Sequence, residues 1–139
     1  MGRLVRFGVS LDDALLKRFD PLIARLGYQS RSEAIRDLIR ERLVAAEWHQ
    51  DAGPAMGVLS LVYSHHVREL SRKLTDIQHH HLGIILSTTH IHMDEHHCLE
   101  VVILRGQARK IQEVAGQLLS AKGVKHGKLI TTTTGRRLE

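Results

Sequence analysis

Imidazole and thiol side chains crowd one stretch of this 139-residue sequence. Gln78-His79-His80-His81 is followed by His90-Ile91-His92-Met93-Asp94-Glu95-His96-His97-Cys98. On an extended strand, residues two apart share a face, so His90 and His92 point the same way. A hairpin turn after Met93 would set Cys98, at the start of the next strand, beside them. Two imidazoles and one thiolate on adjacent strands can hold a metal without distorting the backbone. Such a donor set suits borderline-soft metals and excludes calcium and magnesium, which take oxygen ligands. A fourth ligand could come from His79, His80 or His81 across a subunit interface. A planar N,N,N,S arrangement would favour Ni(II) or Cu(II) and a tetrahedral one Zn(II), and the spacing leaves that choice open. His65, His66, His96 and His97 read as polar surface groups or weak accessory sites. The rival chemistry is a Cys98 nucleophile with His90 or His92 as base. It lacks a clearly placed group to orient the base, and no glycine-rich phosphate loop is visible.

Cys98 is the sole cysteine, so no internal disulfide can form. Ten of the eleven histidines follow residue 50, so the two halves of the chain differ in chemistry. Aromatic residues make up only 4%, which leaves any core to Leu, Ile and Val. No apolar run approaches the ~20 residues that span a bilayer. The N-terminus lacks a signal-peptide core, so the expected location is cytoplasmic with no membrane partner. A formal net charge of +5 points towards an anionic partner.

The elements that must position the ligands follow from hydrophobic periodicity. Met56–Ser64, Ile84–Met93, Cys98–Leu104 and Lys125–Thr134 read as strands. Arg68–His80 and Gln107–Lys122 read as helices, the first with Leu70, Leu74 and Ile77 on one side. The order βαββαβ is the ferredoxin-like pattern and is expected over residues 55–139. Asp51–Pro54 reads as a linker, with Gly53 and Pro54 as its punctuation.

Residues 1–50 read as one strand and two helices. In Arg3–Ser10, Val5, Phe7 and Val9 share one face, and Arg6, Gly8 and Ser10 the other. Ser10 is expected to cap the first helix, Gly27 to close it, and Pro21 to kink it. Ser30-Arg31-Ser32-Glu33 is a capping box opening a helix that runs to about Trp48. A unit of roughly 45 residues cannot bury enough surface to be stable alone. Its single strand would also leave two unpaired edges. Pairing with the strand of a second copy makes an antiparallel ribbon over four helices, a shape that fits the major groove of double-stranded DNA. Arg6 could then contact a guanine edge in bidentate fashion, and Ser10 could make a single hydrogen bond. The N–H groups of Arg31 and Ser32 would face a phosphate, with Arg3 and Arg31 adding charge. An ordinary solvated edge strand is the alternative. The whole reads as an α+β chain.

Leu11-Asp12-Asp13, Gly27-Tyr28 and Arg31-Ser32-Glu33-Ala34-Ile35-Arg36-Asp37 resemble the ribbon-helix-helix domain of the nickel-responsive regulator family (NikR). His90-x-His92-x5-Cys98, with Gln78-His79 upstream, Leu99-Glu100 and Val62-Tyr63, resembles that family's ACT-like metal-binding domain. The resemblance covers nearly the whole chain. It implies a planar Ni(II) site, one per subunit, with His90, His92 and Cys98 from one subunit and His79 from its partner. It implies that Glu100 lies behind the ligands and Tyr63 near them. Base reading is carried by position onto Arg6, Gly8 and Ser10. Gly8 departs from the pattern of the best-known relatives, which carry a polar residue there, and Pro21 is a second departure. A weaker cation site is implied at Glu33 and Asp37, which share a helix face as i and i+4 and otherwise read as a solvated acidic pair. The implied assembly is a homotetramer, a dimer of dimers. The implied function is nickel-dependent repression of nickel-uptake genes at operator DNA, with no enzymatic activity. A copper or zinc regulator of the same architecture is the alternative. An antitoxin would share the DNA-binding domain but end in a disordered tail, whereas residues 55–134 read as folded.

Overall fold

The computed structural model describes residues 2–51 and 53–138. The chain forms two compact units. One runs through Leu43 and takes in the last residues from Gly135, and the other is Val44–Thr134. The expected partition at 50 and 55 follows the helix end and the Gly-Pro punctuation. The compact units follow packing, which draws the last turns of the second helix into the larger core.

In the first unit, α1 spans Asp13–Arg25 and α2 starts at Arg31. Asp12, not Ser10, caps α1: its carboxylate accepts the Ala14 N–H at 2.8 Å. An aspartate immediately before the first helical residue also carries its charge to the positive end of the helix dipole. The helix runs unbroken through Pro21, which withholds one backbone donor. Gly27 adopts φ 87°, and the Tyr28 N–H reaches Ile23 O while the Gly27 N–H reaches Ala24 O. This Schellman arrangement needs the left-handed residue that glycine supplies. Ser30 Oγ accepts the Glu33 N–H at 3.2 Å, and the Glu33 carboxylate turns back to the Gln29 N–H at 3.1 Å. The box expected from the sequence thus closes one residue earlier than its usual form. Residues 2–12 are exposed and carry no strand ladder. Val5, Phe7 and Val9 stay in solvent, since an isolated segment has no strand to pair with.

In the second unit, β1 (Pro54–Ser64), α3 (Arg68–His80), β2 (Ile85–His92), β3 (His97–Gln107), α4 (Ala108–Leu119) and β4 (Val124–Thr133) follow in order. The sheet has the antiparallel order β2-β3-β1-β4. That topology is the ferredoxin-like one, with the two central strands covered by both helices. β1 from Ala55 and β3 through Leu104 alternate between buried and half-buried residues. Leu59, Leu61, Tyr63, Val102 and Leu104 face Leu70 and Leu74 of α3 and Ile111, Val114 and Leu118 of α4. The end of α2 joins this core through Trp48, whose Nε1–H donates to the Thr132 carbonyl at 2.8 Å. Edge strand β2 is exposed along most of its length. No helix of the described residues is long and apolar enough to cross a membrane.

Two glycines test this packing in opposite directions. A Cβ at Gly127 of β4 would collide with the Leu119 side chain and lie 2.8 Å from the Ser60 carbonyl oxygen, whereas one at Gly116 of α4 meets open space. Gly127→Ala is expected to lower stability by about 1–3 kcal/mol. Gly116→Ala should raise it by about 0.5–1 kcal/mol through helix propensity. Denaturant midpoints of the two variants check both signs.

Candidate metal centre

The hairpin between β2 and β3 is closed by Asp94. Its Oδ1 accepts the backbone N–H groups of His96 (2.7 Å) and His97 (2.8 Å), and Met93 N–H bonds to His97 O. These donors, with the His97 side chain, hold the Asp94 carboxyl down at about 2. The turn fixes a register in which His92 faces Cys98 and His90 faces Glu100 across the ladder. β1 continues it, pairing Tyr63 with Cys98 and Leu61 with Glu100. His90, His92, Cys98, Glu100 and Tyr63 therefore share the face that the helices cover.

Cys98 is fully buried, and its Sγ lies 3.6 Å from His92 Nδ1. Metal bonds of about 2.3 Å to sulfur and about 2.1 Å to nitrogen would separate two such atoms by about 3.1–3.6 Å. The pair is thus close to the spacing of two ligands on one cation. Burial pushes the Cys98 thiol up, and the carboxylates of Asp94 and Glu100 push it further. A thiol held protonated is a poor free nucleophile, and no carboxylate hydrogen-bonds His92 among the described residues. The geometry therefore fits ligation better than nucleophilic catalysis.

His65 enters this group unexpectedly. It follows the last residue of β1 and keeps the inward parity of Leu61 and Tyr63. Its backbone N–H bonds to His96 O. Among the described residues, His65, His92 and Cys98 form the one grouping whose ligating atoms all lie within 4.8 Å of one another. His65 Nδ1 is buried without a hydrogen-bond partner, an orphaned donor or acceptor that a cation could satisfy. Burial and the neighbouring imidazoles of His66, His92 and His96 lower its pKa, which keeps the ring neutral. Neutral imidazole is the ligating form.

His90 stands beside this trio. Its ring centroid is 5.0 Å from that of His92, and its Nδ1 lies 3.3 Å from the Tyr63 hydroxyl. That hydroxyl donates to Glu100 Oε2 at 3.0 Å. Burial, followed by the charge of Glu100, pushes the Tyr63 phenol up, so it stays a donor. Gln78 of α3 donates to Glu100 Oε1 (3.1 Å) and accepts from Thr88 Oγ1 of β2 (2.7 Å). The buried Glu100 thus ties the helix that carries His79 to the strands that carry His90, His92 and Cys98. Gln78 has neither imidazole nor thiolate, and its amide is engaged by Glu100 and Thr88. His79 lies exposed in the last turn of α3, outside the grouping.

The remaining expected residues fall in the smaller unit. Arg3, Arg6, Gly8 and Ser10 are exposed along the extended N-terminal segment, and Ser32 is exposed in the first turn of α2. The Arg31 guanidinium grips Asp20 with two bonds of 2.8 and 2.7 Å, which lowers the Asp20 carboxyl and raises the arginine. Both groups are exposed, so the pair contributes little to stability. Glu33 and Asp37 already have local partners: Glu33 the Gln29 N–H, and Asp37 the Tyr28 hydroxyl at 2.9 Å.

Two capped helices followed by a ferredoxin-like domain with a His/Cys cluster fit a DNA-binding regulator class rather than an enzyme, and the family matches define that class. Residues 5–46 match the family described as ribbon-helix-helix protein, copG family, and residues 56–132 match the NikR C terminal nickel binding domain. The chain belongs to the nickel-responsive regulator family. A relative of that name from Geobacter metallireducens is 54% identical over 138 residues, which is 99% of each chain. Another from Pyrococcus furiosus is 52% identical over 133 residues, 96% of each. An uncharacterised protein of Thermotoga maritima shares the fold alone, at 18% identity and TM-score 0.51 over 56% of this chain and 96% of its own.

The turn carries a measurable signature. The Asp94 carboxyl is expected to titrate with a midpoint near 2 in a carbon-detected NMR titration. Its lowered folded-state pKa means that its contribution is present above the ordinary carboxylate range and is lost as pH falls towards 2. A midpoint near 4 would show that the backbone N–H cage is not formed.

Proposed function

We propose that the chain is a nickel-dependent repressor that binds operator DNA when Ni(II) occupies a site of His90, His92 and Cys98 completed by His79 of a second copy, one ion per subunit. The observation that supports it most directly is the hairpin register, which sets His92 against the buried Cys98 with His90 two pairs further along on the same face. Bound there, the ion would supply a fixed crosslink between subunits. Cys98 gives up its proton to become a ligand, and burial keeps that step tied to metal occupancy. Tyr63 and Glu100 hold His90 in place, and Gln78 couples Glu100 to α3. Ordering at the ligands is thereby transmitted to the helix end that presents His79.

The exposed Val5, Phe7 and Val9 support pairing of the N-terminal segment with that of a second chain, which would bury them. Arg6, Gly8 and Ser10 would then face the major groove. The N–H groups of Arg31 and Ser32, with the charge of Arg3, would meet phosphates. A homotetramer with two such ribbons gains by effective concentration when both half-sites are engaged. Ligand binding shifts the population of domain arrangements by no more than its differential affinity for them. Glu33 and Asp37 would form a weaker cation site only by exchanging their present partners. The regulated genes on this reading are those of nickel uptake, and the location is the cytoplasm.

Cys98→Ala is expected to abolish nickel-dependent retardation of operator DNA in a gel-shift assay while leaving the circular dichroism spectrum intact; a variant that still responds fully to nickel would overturn the assignment. X-ray absorption at the metal edge should show nickel bound through sulfur and nitrogen, and a tetrahedral zinc signal would overturn the choice of metal. Loading is also expected to release protons. Because the Cys98 thiol is raised, it is protonated at neutral pH, and nickel affinity should fall about tenfold per pH unit below its pKa. Calorimetry in buffers of different ionisation enthalpy measures this, and pH-independent binding would exclude Cys98 as a ligand.

A further inference from the structure

The Arg31 guanidinium and the Asp20 carboxylate link the start of α2 to the middle of α1. Arg31 Nε lies 2.8 Å from Asp20 Oδ1, and Nη2 lies 2.7 Å from Asp20 Oδ2. Both carboxylate oxygens are used, so the planar fork of the arginine is filled. The two side chains are 56% and 43% exposed, and an exposed ion pair of this kind adds little to stability. Its position is more telling. Arg31 is the first residue of α2. There the backbone N–H groups have no partner within the helix, and the helix dipole is positive. The Cα–Cβ bond of a helical residue tilts towards the N-terminus, so the Arg31 side chain sets out towards the end where an anion would dock. The anion it holds is the carboxylate of Asp20.

We propose that Asp20 is an intramolecular stand-in for DNA phosphate: it occupies the Arg31 guanidinium beside the N-terminal end of α2 and so restrains binding that depends on charge alone. A carboxylate and a phosphate offer an arginine the same pair of acceptor oxygens. The carboxylate belongs to the same chain and stands at a high effective concentration, so a phosphate must displace it. Once displaced, it would remain beside the phosphate as an uncompensated like charge. The Arg31 side chain therefore adds little to the phosphate contacts, although its backbone N–H stays available. Sequence-independent affinity for DNA comes almost entirely from phosphate neutralisation. Lowering it leaves the choice of site to base edges and to the joint engagement of two paired units. The partner selected against is duplex DNA of arbitrary sequence.

This inference rests on the reading of the N-terminal unit as a DNA binder, and one titration separates the two. Full-length, nickel-free protein is added to a labelled duplex of random sequence, and binding is followed by fluorescence anisotropy over a range of salt. Asp20→Asn removes the charge with little change of shape and should free Arg31. Each phosphate neutralised adds about 0.9 to the slope of log affinity against log salt. A pair of N-terminal units contains two Arg31 side chains, so the slope should steepen by about 1.8, and binding at about 0.1 M salt should tighten tenfold or more. Asp20→Glu keeps the carboxylate and should keep the slope of the unmodified chain. The double variant Asp20→Asn, Arg31→Gln should return to that slope as well. Asp76→Asn makes the same change of net charge at an exposed position of α3 and should leave the slope unmoved. An unchanged slope in Asp20→Asn would overturn the proposal and leave DNA binding standing. A shallower slope in the double variant than in the unmodified chain would also overturn it, by placing Arg31 on phosphate from the start. An equal rise in Asp76→Asn would overturn it by reducing the effect to net charge. No binding by any of these chains, even at low salt, would overturn the DNA-binding reading itself.

Discussion

The register of the β2–β3 hairpin decides the chemistry of this domain. With His92 opposite Cys98 and His90 opposite Glu100, the imidazoles and the thiol of the two strands lie on the helix-covered face. A slip of one residue would turn His90 and His92 to the other face while Cys98 stayed inside, and the donor set would dissolve. Asp94 guards against that slip. Its carboxylate occupies two consecutive backbone N–H groups at the turn, and those donors are available in one register only. β1 adds a second constraint, since Tyr63 must pack opposite Cys98 for its hydroxyl to reach Glu100.

Glu100 is the one buried charged residue of the described core. A buried carboxylate without partners would be costly, and here Tyr63 and Gln78 each donate to it. The same bonds make it the joint between sheet and α3. The helix that ends in His79 and His80 is therefore coupled through polar contacts to the strands that carry His90, His92 and Cys98. Burial has a further effect at Cys98: it holds the thiol in its protonated form, so a metal bound there would have to displace that proton. Both consequences follow from placing polar groups under a helix layer rather than on the open face of the sheet.

The smaller unit shows the complementary situation. Its two helices are locally well specified by the Asp12 cap, the Gly27 turn and the Ser30–Glu33 box, each a short-range interaction. Its N-terminal segment has apolar residues on one parity, and none of the described residues buries them. Local rules supply helix ends, but a strand exists only when another strand accepts its hydrogen bonds.

Much of the architecture was legible in the residues. The βαββαβ order, α3 at Arg68–His80, the capping box and the pairing of His92 with Cys98 all follow from periodicity and parity, which depend on nearby residues alone. The place of the α1 cap was misread by two residues, because Ser10 and Asp12 are both good caps and only the path of the chain selects between them. From the sequence His65 reads as a polar surface group or weak accessory site, although it continues the inward parity of Leu61 and Tyr63, because two adjacent histidines past a strand end look like solvated residues. Its partnership with His92 and Cys98, the link from Gln78 to Glu100 and the packing of Trp48 against Thr132 join segments far apart in the chain. The one-dimensional order sets which side chains are on offer and which way each strand presents them. Only the closing of the sheet under its helices decides which of them meet, because that depends on long-range packing that no local pattern encodes.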